Sequence, residues 1–320
     1  MSEKIVKNYY QGIYLTETIM GNPNGDFVDN SPRNFDGKVF TTDKCIKFNV
    51  RRYINETMEN IKDKKDIVFF YPRLSKDAEK DDAKYQTKDD IFKEIFGNDF
   101  DALKMNSPDV RMFGGTFSFT ETGSKQIYGP IQLSYGKDIN NAQIKRLQIG
   151  APFATMDGQQ TTTGSEAVVD DAIISYDITI NPNNYPGLLK ESDLKMFKES
   201  LWYGTNLRKS TSKKTDSKLL ILIKFKNERE GEKVTALNIG ELKELIAIKN
   251  GNERKNVDTP IKKIEIDTTQ LNQKLEKYKD FIEKIMIYRD SADVDINLDV
   301  NGINEHQISL EEPTVLLNGD

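Results

Sequence analysis

Apolar positions along the chain change period several times, and each change predicts an element. Tyr9–Thr18 alternates and is rich in Tyr, Ile and Thr, the pattern of a strand. In Thr42–Asn60, Ile46, Val50, Tyr53 and Thr57 recur at helical spacing and form a predicted buried stripe. Thr42 or Asp43 can cap that helix, because a side-chain oxygen there accepts from a free backbone N–H. Lys88–Phe96 predicts a short helix ended by Gly97. Val110–Thr120 and Gln126–Tyr135 read as strands joined by a turn at Glu121–Lys125, with a bulge at Gly114–Gly115. Asp171–Ile180 predicts a strand, Glu191–Tyr203 a helix opened near Ser192, and Leu219–Lys226 a strongly apolar central strand. A helix at Ile239–Lys249, a strand near Ile261–Ile266 and a long helix at Thr269–Tyr288 follow. No tandem repeat interrupts this order.

The succession β, α, β, β and then β, α, β predicts an α+β fold, an antiparallel ferredoxin-like core carrying long insertions. One elaborated domain over residues 1–320 is expected. Its core is about 5–58, 109–145 and 171–226, with a helical insertion at about 61–108 and an α/β elaboration at about 227–320. Residues 150–170, polar and nearly uncharged, predict a protruding hairpin or loop. The first strand and first helix are joined by about twenty residues that include GNPNGDFVDNSPR (21–33). About two to six would suffice, and longer loops are usually functional or disordered.

Composition narrows the chemistry. Charged residues are 30% and hydrophobic ones 37% of the chain, so its surface is large and charged. No apolar run approaches the ~20 residues of a membrane span, and the N-terminus lacks a signal-type apolar region. A cytoplasmic protein is expected. Cys45 is the sole cysteine and His306 the sole histidine, which removes disulfide frameworks and Cys- or His-rich metal sites. His306 is expected on the surface. Neither GxxxxGK[ST] nor GxSxG occurs, so neither nucleotide hydrolysis nor acyl transfer is indicated, and no cofactor is expected.

The net charge of −5 argues against a general nucleic-acid binder, but its distribution is uneven. Residues 30–55 hold six cations against Asp36 and Asp43, and residues 206–218 hold five against Asp216. Lys44, Lys47 and Arg51 share one face of the predicted helix and span roughly 10 Å. That fits either successive phosphates of a single strand or an ordinary solvated face. LRKSTSKKTDSK (Leu207–Lys218) mixes cations with hydroxyls that can donate to phosphate, and fits a plain flexible loop equally well. Phe113, Phe117 and Phe119 partly match the aromatic strand of RNA-recognition modules and fit core positions better. Asp26, Asp29, Asp36 and Asp43 could meet a divalent cation, but their spacing matches no metal-binding loop and turn chemistry explains Asp26 and Asp43.

NPNGD (Asn22–Asp26), the pair Pro32–Arg33 and TDKCIKFNVRRYI (Thr42–Ile54) together resemble the start of the crRNA-binding backbone subunit of Cascade. That is the Cas-seven family of type I CRISPR systems, here in a type I-B-like form. VRMFGGTF (Val110–Phe117), YGPIQLSYGKDIN (Tyr128–Asn140) and Arg208–Lys213 extend the resemblance over roughly the first two-thirds of the chain. The resemblance implies a modified RNA-recognition fold with a protruding thumb. It implies a non-catalytic, metal-free protein that oligomerises along crRNA, meets target DNA through the guide and joins other Cascade subunits. The matching RNA-binding positions are Asn22, Asn24, Thr42, Lys44, Lys47, Arg51, Arg208, Lys209, Ser210 and Lys213. The thumb maps to about Gln148–Asp170, with Phe153 or Met156 as its wedge. Two other readings stand beside this one. One is an RNA-cleaving type III relative using Asp26. The other is a general single-strand binder, although the basic segments lack interleaved aromatics.

Overall fold

The computed structural model of the chain describes residues 4–58, 66–75, 84–151, 162–229, 232–233, 237–251 and 263–318. The elements run β1 (Tyr10–Gly21), β2 (Asn34–Phe35), β3 (Lys38–Thr41), α1 (Asp43–Met58), α2 (Lys88–Phe96), α3 (Phe100–Asn106) and α4 (Pro108–Phe113). There follow β4 (Gly114–Phe119), β5 (Gly123–Tyr128), β6 (Ile131–Leu133), β7 (Gly136–Asp138), β8 (Ile144–Ala151), β9 (Thr162–Ile180), α5 (Glu191–Leu207) and β10 (Thr215–Phe225). The last part holds β11 (Glu228–Arg229), β12 (Glu232–Lys233), β13 (Ala247–Ile248), β14 (Ile264–Asp267), α6 (Thr269–Lys277), β15 (Ile282–Arg289), β16 (Val294–Asp295) and β17 (Ile308–Glu311).

The fold is mixed α+β around one large sheet ordered β17-β15-β10-β1-β9-β7-β3-β2, with β6 and β8 also pairing with β9. β1 lies antiparallel between β10 and β9. Its two faces enter two different cores. Tyr10 and Tyr14 point toward α1 and α5, where Ile46, Val50, Ile54, Phe197 and Leu201 meet them. Ile13 and Leu15 point the other way, toward Leu271 and Leu275 of α6 and Ile264 of β14. Because β10 is covered on both faces, its near-continuous apolar run is what its position requires. Each fully buried Leu or Ile in it contributes about 1.5–3 kcal/mol. The C-terminal third therefore closes the sheet face opposite the two helices. α1 and α5 approach closely at Gly204, where a Cβ would lie 2.6 Å from the Asn49 carbonyl oxygen.

Several expectations shift. The third buried position of α1 is Ile54. Tyr53 is half-buried and donates to Glu199 (2.8 Å), and Thr57 is exposed. Val110–Phe113 is helical, not extended: Pro108 sits in the first turn, where its missing N–H costs nothing. Gly114 marks the end of that helix, and β4 pairs with β5 in unbroken register, so there is no bulge at Gly114–Gly115. Phe113, Phe117 and Phe119 are buried as core residues. The stretch 239–249 closes as one 3-10 turn over Leu242–Leu245 followed by β13. The long helix expected at 269–288 stops at Lys277, and β15 takes over. There Ile285 and Ile287 face one core while Tyr288 faces the other, a period of two that only a strand supplies. α2 ends at Gly97 as expected. His306 is exposed. Among the described residues no helix is long and apolar enough to cross a membrane.

Candidate nucleic-acid interface

The loop after β1 is folded back on itself. Gly25 and Pro32 form a bridge, Asp26 N donates to Ser31 O (3.0 Å) and Arg33 N donates to Asn24 O (3.0 Å). The Asp26 carboxylate accepts from Val28 N (2.8 Å) and Asp29 N (3.1 Å), so it serves a turn. Among the described residues no three His, Cys, Asp or Glu side chains are grouped as a metal site would need.

The root of this loop ties three distant segments together. Asn24 Oδ1 accepts from both the backbone N–H (3.0 Å) and the hydroxyl (3.1 Å) of Thr42, fixing the start of α1 from eighteen residues upstream. Asn22 N donates to Ser212 O (2.7 Å), and Lys213 Nζ donates back to Asn22 O (3.0 Å). A side chain at Gly21 would place its Cβ 2.7 Å from Ser212 O, so only glycine permits this docking. The Asn22 side chain is buried, and its contribution here is the backbone that holds Lys213.

Arg208 enters from the end of α5. Its guanidinium donates to Asn49 Oδ1 (2.9 Å) and lies 4.8 Å over the Phe48 ring, which stacks on Tyr71. Pro23, Cys45, Asn49, Arg208 and Lys213 line a cleft of about 10 Å³. Burial pulls the Lys213 ammonium below its usual pKa. Cys45 opposes that shift, and nearby Arg208 adds to it. Ser210 and Lys213 close a tight turn, Lys213 N to Ser210 Oγ at 3.1 Å.

The stripe on α1 divides. Lys44 is exposed. Lys47 is buried, paired with Asp43 (3.0 Å) and set over the Phe113 ring. Arg51 pairs at 3.0 Å with Asp109, which is fully buried and also accepts from the Phe69 and Phe70 amides. Lys209 pairs with Asp216 at 2.5 Å. Thus Asn22, Asn24, Thr42, Arg208 and Lys213 are brought into one cluster. Lys47 and Arg51 turn toward carboxylates of the same chain. Phe153 and Met156 lie outside the described residues. The hairpin that would carry them begins with β8 against β9, from Ile144↔Val169 to Ala151↔Thr162.

Sequence reasoning missed Phe48 and Asn49. Their signal was present: Asn49 follows Cys45 by one helical turn, so both lie on one face. A larger cavity, about 390 Å³ and lined by Tyr10, Glu191 and Lys224, sits at the other end of β1 and α5 and holds none of these residues.

A family model described as CRISPR-associated protein Cas7 matches residues 8–269. Among solved structures, a chain of a "CRISPR RNA-guided surveillance complex" superposes with a TM-score of 0.53 at 10% identity, covering 97% of each chain. A chain of a "CRISPR RNA-guided surveillance complex, pre-nicking" gives 0.50 at 11% identity, covering 97% of this chain and 98% of that one. At these identities the likeness is one of fold. No curated protein matches the chain in sequence. With the family model spanning most of its length, the chain belongs to the CRISPR-associated protein Cas7 family.

Proposed function

We propose that this chain is the crRNA-binding backbone subunit of a type I Cascade complex, I-B-like in its sequence. It grips the guide by its phosphates, oligomerises along it and performs no chemistry on it. Beyond family membership, one observation carries this reading. Arg208 and Lys213 sit together beside the start of α1, and each is held by a neutral oxygen, Asn49 Oδ1 and Asn22 O. A cation oriented by a neutral acceptor keeps its charge for an outside anion. Backbone contacts of this kind carry no sequence information. That suits a guide-coating protein, because base pairing reads the target.

In this reading Lys44, Arg208 and Lys213 supply the charge. Asn22, Asn24 and Thr42 set the backbone around them, and Ser210 offers a hydroxyl. Lys47, Arg51 and Lys209 act second, since each already has a carboxylate. The strand order β10-β1-β9-β6/β7, with α1 and α5 on one face, supports a modified RNA-recognition core within one elaborated domain. The β8–β9 hairpin supports a thumb near residues 148–170. The partners are crRNA, further copies of the chain, other Cascade subunits and, through the guide, target DNA.

The test is purification of the recombinant full chain without nuclease, followed by size exclusion and extraction of bound nucleic acid. Large RNA-containing assemblies that dissociate at high salt are expected. A monomer that carries no nucleic acid and leaves labelled crRNA unbound overturns the reading.

A further inference from the structure

We propose that Phe27, at the tip of the loop between β1 and α1, is a stacking surface for one unstacked base of the bound RNA, an inference that rests on the RNA-coating reading above. Phe27 and Val28 are 99% and 95% exposed, and Phe35 nearby is 74% exposed. Single exposed apolar residues need no explanation, but an aromatic and an aliphatic side chain fully extended at one fixed tip do.

The tip is held, not loose. Asp26 accepts from the amides of Val28 and Asp29, Asp29 accepts from Ser31 N (2.9 Å), and the Asn22 side-chain amide donates to Asn30 O from below. A ring presented on such a backbone loses little freedom on binding. The Arg33 guanidinium lies 5.3 Å from the centre of the Phe27 ring. An aromatic ring beside a cation is the arrangement on which single-stranded nucleic acids stack their bases.

Position points the same way. The loop that ends in Phe27 is rooted by Asn22 and Asn24, which brace Lys213 and the start of α1. The loop that carries Phe27 is thus rooted in the same cluster that holds Arg208 and Lys213, so a strand gripped there by its phosphates meets this loop as well. Asp29 reaches Arg146 of β8 at 3.5 Å, so the tip stands beside the foot of the β8–β9 hairpin.

The experiment uses single-stranded RNAs that each carry one 2-aminopurine, bound by the full chain and by Phe27→Ala and Phe27→Trp. Wild type is expected to change the fluorescence at a subset of positions. Phe27→Ala should lose that change and bind about tenfold more weakly, with an unchanged salt slope because no phosphate contact is removed. Phe27→Trp should restore both. Thermal melts of the variants check the fold. Fluorescence and affinity unaltered in Phe27→Ala overturn this inference alone. So does a variant that self-associates less while its fluorescence response stays intact, which would assign Phe27 to a contact between copies. Wild type that binds no RNA overturns the earlier reading and this one with it.

Discussion

The two basic segments of this chain carry similar numbers of cations; Lys209 and Lys218 of the second pair with carboxylates, but two sets of cations, one on α1 and one after α5, are used in opposite ways. On α1, Lys47, Arg51 and Arg52 each face a carboxylate of the same chain: Asp43, Asp109 and Glu56. After α5, Arg208 and Lys213 face an amide oxygen and a backbone carbonyl. The first set is neutralised within the chain, Arg52 at the surface and Lys47 and Arg51 inside the fold, where the Arg51–Asp109 pair locks α1 to the start of α4. Among the described residues no carboxylate pairs with the second set, which is positioned but not neutralised. Counting cations along a sequence therefore measures neither the field a surface presents nor the number of phosphates it can meet.

Arg51→Ala should have the largest effect, and on stability. It strips the buried Asp109 of its cation, and breaking such a pair costs about 3 kcal/mol. A lowered melting temperature with an unchanged RNA salt slope is expected; a lowered slope would move Arg51 into the interface. Next, the double variant Arg208→Ala/Lys213→Ala should weaken RNA binding about a hundredfold across unrelated sequences and flatten the salt slope by about 0.7 per lost contact. A change in sequence preference instead would contradict phosphate recognition. Lys44→Ala should cost about three- to tenfold in affinity, read in the same titration. Lys209→Ala should stay within about twofold, because Asp216 already holds its charge. A loss matching that of Arg208 would erase the distinction drawn between paired and unpaired cations.

The smallest effect concerns pH. Burial lowers the Lys213 pKa in the free chain, so its charge is complete well below that value and fades as pH rises through it. A bound phosphate favours the charged form and raises the pKa again. Affinity should thus decline on the alkaline side at a lower pH in wild type than in Lys213→Arg. Coincident profiles would remove Lys213 from the site.

Much of this was legible in the sequence where local pattern decides structure. β1, α1, α2 with its Gly97 stop, and β10 follow directly from periodicity and end signals. β15 was not legible, since FIEKIMIY spaces its isoleucines in a way that fits a helix as well as a strand. Only its place beside β10 selects the strand. The cluster at the loop root was half legible. The motifs marked Asn22, Asn24, Thr42 and Arg208, but the partners that decide each role lie far away in sequence. Asp109 is 58 residues from Arg51, and Asn49 is 159 from Arg208. The basic segments do not lack aromatics even in linear order, since Phe48 lies between Lys47 and Arg51; what the order hides is which cation each ring meets. In space Phe48 lies under Arg208 and Phe27 beside Arg33.

Phosphate recognition by Arg208 and Lys213 is decided by titrating labelled single-stranded RNAs of unrelated sequence with the full chain at several salt concentrations, alongside Arg208→Ala/Lys213→Ala. Equal affinities across sequences, a steep salt dependence in wild type and a shallower one in the variant are expected from phosphate recognition. Binding that depends on sequence, or a variant whose salt slope equals that of wild type, would contradict it.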